Sequence, residues 1–76
     1  MIHALGSCTV CENGELVFRV LAGTDRIIVE CLECLSGYSD PLDLQRSTLL
    51  RMEDVFARPA SHREVDDAGY GSLVAV

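Results

Sequence analysis

Four cysteines set the terms for this chain. They come as two C-x2-C pairs, Cys8-Thr9-Val10-Cys11 and Cys31-Leu32-Glu33-Cys34, with 19 residues between them. Two cysteines three apart on a tight turn can direct both sulfurs at one ion about 2.3 Å away. Two such turns facing each other close a tetrahedron, and the gap between these pairs matches the spacing of four-cysteine zinc sites. Each pair is followed by a small-residue exit, Asn13-Gly14 and Ser36-Gly37. Glycine there is expected to adopt positive φ, so that backbone N–H groups point at the thiolates. Iron accepts the same four sulfurs, and two disulfides or a redox C-x-x-C compete with a metal. A second pair in matching context favours the metal, with zinc ahead of iron. Cys8, Cys11, Cys31 and Cys34 are the expected ligands. Four protein ligands leave no place for water or substrate, so the expected role is structural.

Such a staple answers a problem of size. A chain of 76 residues, with no tryptophan and only two phenylalanines and two tyrosines, lies where one apolar core is marginal. Its charge narrows the function classes. Twelve acids face six arginines and no lysine, for a net charge of −6. A tetrathiolate metal site adds about −2 more. Binding to nucleic acid depends on neutralising phosphates, so an acidic chain is poorly suited to it, and anionic membranes are disfavoured for the same reason. Residues 1–44 hold seven acids and two arginines. The cysteine half is therefore the more acidic one, and a basic partner would be steered there. No apolar run approaches the ~20 residues of a membrane span. The opening Met1-Ile2-His3-Ala4-Leu5-Gly6 lacks the basic and apolar regions of a secretory signal. The expected compartment is the cytoplasm, where cysteines serve as ligands more often than as disulfides.

Between the pairs, Glu15 to Leu21 is rich in β-formers, with Leu16, Phe18 and Val20 on one face by period two and Val17, Arg19 and Leu21 on the other. Ala22-Gly23-Thr24-Asp25 is a turn cluster, and Arg26 to Glu30 is a second strand running into Cys31, with Ile27 and Val29 sharing a face. This is a hairpin joining two metal-binding turns.

These features, from Cys8 to Tyr38, resemble the zinc-ribbon family, and in particular small stand-alone bacterial zinc ribbons. Cys31 to Pro41 carries the nearer likeness: a knuckle, an aromatic, then Asp-Pro. The resemblance implies a ribbon fold and one metal; activity does not follow from it, since ribbons serve many functions. Transcript-cleavage ribbons carry an adjacent acidic pair at the hairpin tip, whereas the tip here reads Asp25-Arg26. The knuckles also lack the proline common after the first cysteine of each pair.

The expected fold is a small, mainly-β, metal-stabilised domain: a zinc ribbon over 1–44 with a short C-terminal helix. That helix is expected within a 45–58 extension, over Thr48 to Ala57. There Leu49, Met52 and Phe56 share a face flanked by Leu50 and Val55, Ser47 is placed to cap, and Arg58 before Pro59 to terminate. Asp40-Pro41-Leu42-Asp43 reads equally as a helix start or a simple turn. Over 59–76, residues Pro59 to Gly69 read as a polar loop. The apolar tail from Tyr70 to Val76 reads as an added strand or as a strand offered to a partner.

No residue reads as catalytic. His3, five residues before Cys8, could stand in for a thiolate but, with four cysteines available, reads as a solvated or packing residue; His62 has no nucleophile nearby, and Glu53-Asp54 and Asp66-Asp67 read as solvated neighbours rather than acid–base pairs. The expected function is a non-enzymatic module that binds another protein or a second copy of itself. Positive mean hydropathy puts more apolar residues on the chain than a thin ribbon can hide, with Val17, Leu21, Leu32, Leu35 and Leu73–Val76 as candidate contacts. A nucleic-acid-associated ribbon in transcription or translation is the alternative, and an accessory subunit of an enzyme the second.

Overall fold

The computed structural model describes residues 1–12, 14–47, 49–51 and 56–75. β-Branched and aromatic residues build the centre of the sheet. β1 (Leu16–Leu21) and β2 (Ile27–Cys31) form an antiparallel hairpin in which Leu16 faces Cys31, Phe18 faces Val29 and Val20 faces Ile27. Gly23, at φ +78°, makes the tip, and the Thr24 hydroxyl donates to the Leu21 carbonyl at 3.1 Å. β3 (Ser36–Tyr38) returns along β2, so the second C-x2-C pair is itself a hairpin turn. β4 (Leu49–Arg51) pairs with β3, and β5 (Ala57–Pro59) with the far side of β1. The order is β4-β3-β2-β1-β5, antiparallel throughout.

The period-two face holds. Leu16, Phe18, Val20, Ile27, Val29 and Tyr38 form one core cluster, covered by Ala60, Val65, Tyr70, Leu73 and Val74. The rings of Phe18 and Tyr70 stack with centroids 6.5 Å apart. The opposite face was expected to be available for contacts, but it is not. Val17 and Ile28 are fully buried, and every residue of β2 is buried. Glu30 sits on that face opposite Val17, with its carboxylate 3.6 Å from Arg19 Nε. Arg19 in turn donates from Nη2 to the Ala57 carbonyl at 2.8 Å. The arginine offsets the cost of burying that acid.

The helix expected over Thr48 to Ala57 is not what the described residues form. Leu49–Arg51 and Ala57–Pro59 are edge strands, while 48 and 52–55, with Met52, Val55 and the Glu53-Asp54 pair, lie outside the described residues. A short apolar run fits either period, and the open edges of β3 and β1 decide for extended backbone. Pro59 suits an edge because it has no donor to offer, and it pushes Arg58 towards extended geometry. Asp40–Asp43 takes the turn reading, with Asp40 Oδ1 accepting from the Leu42 N–H at 3.0 Å. The Ser47 hydroxyl binds back to this turn, accepting from the Asp40 N–H at 2.9 Å, rather than capping a helix.

The short helix lies further on, inside the stretch read as a loop. α1 (His62–Asp67) starts from a reciprocal capping box: Ser61 Oγ accepts from the Glu64 N–H at 3.2 Å, and Glu64 Oε1 accepts from the Ser61 N–H at 3.0 Å. Arg58 grips the same carboxylate from β5 and, with the Ser61 amide, holds Glu64 down to about 2 from its ordinary 4.5. That support is complete above the ordinary value and is lost as pH falls through the window between the two. Gly69, at φ +86°, ends the turn after α1. The tail then makes a 3-10 turn (Gly71–Leu73) and one bridge, Val74 to Ala4, rather than a full strand. The Ala75 N–H donates to the His3 carbonyl at 2.8 Å and the Leu5 N–H to the Leu73 carbonyl at 2.7 Å. Among the described residues, no helix is long and apolar enough to cross a membrane.

Val65 is the residue that seats α1, and it is fully buried in the core cluster. Val65→Ala should cost about 2 kcal/mol through lost transfer energy and residual cavity. The cost is read as a lower urea midpoint at unchanged m-value.

Candidate metal centre

The two C-x2-C segments fold alike. In the first, the Glu12 N–H donates to the Cys8 carbonyl at 3.1 Å. In the second, the Leu35 N–H donates to the Cys31 carbonyl at 3.0 Å. The residue after each closing cysteine takes the left-handed conformation, Glu12 at φ 64° and Leu35 at φ 59°. This corrects the expectation for the glycines, since positive φ falls one residue past each pair and on side-chain-bearing residues. Gly14 serves another purpose. A Cβ there would fall on Cys31 Sγ, with Cys11 Sγ at 3.2 Å and Glu33 Cβ at 3.3 Å. The backbone must pass against the sulfurs, and only glycine permits it.

The structure brings together all four cysteines singled out by their spacing. The Sγ atoms of Cys8, Cys11, Cys31 and Cys34 lie within 4.8 Å of one another. Cys8 to Cys34 and Cys11 to Cys31 are both 3.6 Å apart. Four sulfurs tetrahedrally placed about 2.3 Å from an ion stand roughly 3.8 Å from each other. These separations are too long for disulfides, and the four thiols are free. The donor set therefore fits a tetrahedral ion, and a zinc-ribbon-like four-cysteine group that could hold a metal stands at one end of the β1–β2 hairpin. His3 is not part of it. Its Nδ1 lies 3.5 Å from Glu15 Oε2 at the surface.

Amides and hydroxyls surround the sulfurs. Cys8 Sγ accepts from the N–H groups of Val10 at 3.4 Å and Cys11 at 3.5 Å. The Tyr38 hydroxyl lies 3.1 Å from the same sulfur. Burial pushes the Cys8 thiol up, but the tyrosine hydroxyl, these two amides and Cys34 outweigh it and bring it to about 6. Burial dominates at Cys31, which is pushed up to about 12 despite the amides of Cys34 and Glu33. Ser36 Oγ, 3.3 Å from Cys34 Sγ, holds that thiol below its usual value. Four anionic sulfurs cannot crowd so closely without a cation among them, and a bound cation reverses the penalty at Cys31.

Tyr38 is the functional residue that spacing alone did not identify. It is fully buried in the core cluster. Its hydroxyl accepts from the Thr9 N–H at 2.9 Å, lies 3.1 Å from Thr9 Oγ1, and reaches Cys8. The only signal was an aromatic shortly after the second pair. It also accounts for one departure from the ribbon pattern. A proline at Thr9 could not donate to Tyr38, and a proline at Leu32 could not donate to the Glu15 carbonyl, as the Leu32 N–H does at 3.0 Å.

Comparison with protein-family models, with curated proteins and with solved structures finds no match to this chain.

Tyr38→Phe keeps the ring but strands the Thr9 amide and removes a donor from Cys8. Metal affinity should fall ~10–100-fold while the sheet is retained, as read by competition with a chromogenic chelator. Gly14→Ala should cost on the order of 3 kcal/mol by overpacking against the sulfurs, with loss of stoichiometric metal in elemental analysis.

Proposed function

We propose that the chain is a non-enzymatic module in which one structural zinc, held by Cys8, Cys11, Cys31 and Cys34, rigidifies a surface that binds another protein or a second copy of the chain. The observation that carries this reading is the closed set of four sulfurs within 4.8 Å, with apolar residues left outside it. Four thiolates complete the coordination of zinc and leave no open position for a substrate. Zinc there supplies cross-linking and charge neutralisation. This chain's own residues align the knuckles through their amides.

Val10, Leu32 and Leu35 belong to the two knuckles and remain exposed, Leu35 to 47% and Val10 to 52%. Buried Val17 is removed from the expected contact set, half-buried Leu21, Leu73 and Val74 contribute less, and Val76 lies outside the described residues. Exposed leucine and valine on a metal-stiffened turn lose little conformational freedom on docking, which favours a protein partner. Glu12, Glu15 and Glu33 at the same end are exposed, which favours a partner with basic groups around its apolar contacts. A net charge of −6 without lysine weighs against nucleic acid as that partner. Among the described residues, a cavity of about 350 Å³ is lined by Asp25, Ile27, Glu64, Asp67 and Ala68. Glu64 is already held by Arg58 there, which supports a binding rather than a catalytic role.

One zinc per chain is expected in the purified protein. Stripping it should abolish the β-sheet signal in circular dichroism, because structural zinc contributes on the order of 10–16 kcal/mol of apparent binding energy. The double variant Leu32→Ser, Leu35→Ser should keep its zinc and its sheet. It should lose the self-association seen by light scattering, or the binding of a partner. A wild-type chain that folds equally well without metal removes the foundation of this reading.

A further inference from the structure

The four sulfurs share one centre but not one environment. Cys8 and Cys31 are buried, with 2% and 0% of their surface exposed, and Cys11 is half-buried. Cys34 is exposed. Around the inner sulfurs stand the Tyr38 hydroxyl and the backbone at Gly14, which block the approach of a small molecule to Cys8 and Cys31. Beside Cys34 stand the Ser36 hydroxyl, 3.3 Å away, and the Ser36 backbone amide, and the residue remains open to solvent. Directly across the centre, 3.6 Å from Cys34, lies Cys8 of the other knuckle.

We infer that Cys34 is an oxidative modification site through which a hydroperoxide opens the metal centre, with Cys8 as the thiolate that resolves it. This rests on the metal reading above. In the first step the Cys34 thiolate attacks one peroxide oxygen and the O–O bond breaks. With hydrogen peroxide the products are a Cys34 sulfenic acid and one hydroxide. In the second step the Cys8 thiolate attacks the Cys34 sulfur. The S–S bond forms, the S–O bond breaks, and a second hydroxide leaves. Two thiolates have then lost two electrons to the peroxide, which is reduced to two hydroxides. Cys11 and Cys31 alone would then remain as thiolate ligands, too few to hold an ion. The knuckles, 26 residues apart at these cysteines, become covalently joined in its place. Accessibility decides the direction, since oxidation of cysteine follows thiolate character and exposure together.

The test uses the full chain loaded with one zinc and treated with about one equivalent of hydrogen peroxide, matching the two-electron step. Zinc release is followed with a chromogenic chelator, and the cysteines by peptide mass mapping. A dimedone pulse should label Cys34 first, and brief N-ethylmaleimide treatment should modify it ~10-fold faster than Cys8 or Cys31. Zinc loss should track one Cys8–Cys34 disulfide, and a dithiol with added zinc should restore the starting protein. First modification at Cys11, Cys8 or Cys31 overturns the inference, as does zinc loss without the Cys8–Cys34 bond, or a loaded protein that resists peroxide while free cysteine is oxidised. A chain that takes up no zinc at the outset overturns the metal reading and this inference with it. The loading step thereby separates the two failures.

Discussion

The convergence of four cysteine sulfurs on one point is the constraint on which this molecule is built. Four cysteine sulfurs lie within 4.8 Å, and as thiolates they repel one another strongly unless a cation stands between them. The same convergence supplies the fold with its cross-link. One pair comes from the loop leading to β1 and the other from the turn between β2 and β3, so whatever holds the sulfurs also holds the hairpin in register at that end. A chain this small has little interior with which to replace that tie.

The metal end and the apolar interior are not separate assets. Tyr38 belongs to both, with its ring in the core beside Val29 and its hydroxyl on Cys8 and Thr9. Cys8 and Cys31 themselves belong to the core cluster. Loosening the sheet therefore misaligns the sulfurs, and parting the sulfurs removes packing partners from the sheet. Arrangements of this kind make binding and folding a single event.

How much of this could be read from residues alone varied with the physics. The convergence of the four sulfurs was legible because C-x2-C spacing encodes geometry directly, and the hairpin because Leu16, Phe18, Val20, Ile27 and Val29 alternate cleanly. The short apolar run at Leu49-Leu50 was not legible as a strand. Three residues satisfy either period, and the deciding factor was a free sheet edge far away in sequence. α1 was legible in principle, since Ser61 and Glu64 spell a capping box. Its single buried residue, Val65, gave no periodic stripe to draw attention to it. The burial of Val17 was hidden for a different reason: alternation reports one packed face and says nothing of a second covering. The special backbone at Glu12 and Leu35 was hidden because neither is a residue that favours it, and the turn imposes it.

The two flanks of β1 carry a further consequence. One is taken by β2, while the other is shared end to end by two segments from opposite ends of the chain. Residues 2–4 bond to Leu16 and Phe18, and β5 bonds from Arg19 to Leu21. Neither segment alone spans the strand, so the central hairpin is shielded by a seam rather than by one continuous neighbour. Loss of either piece would bare part of a long hydrophobic ladder, an invitation to intermolecular pairing. In this molecule, protection against aggregation is divided between two short guards that meet near Phe18.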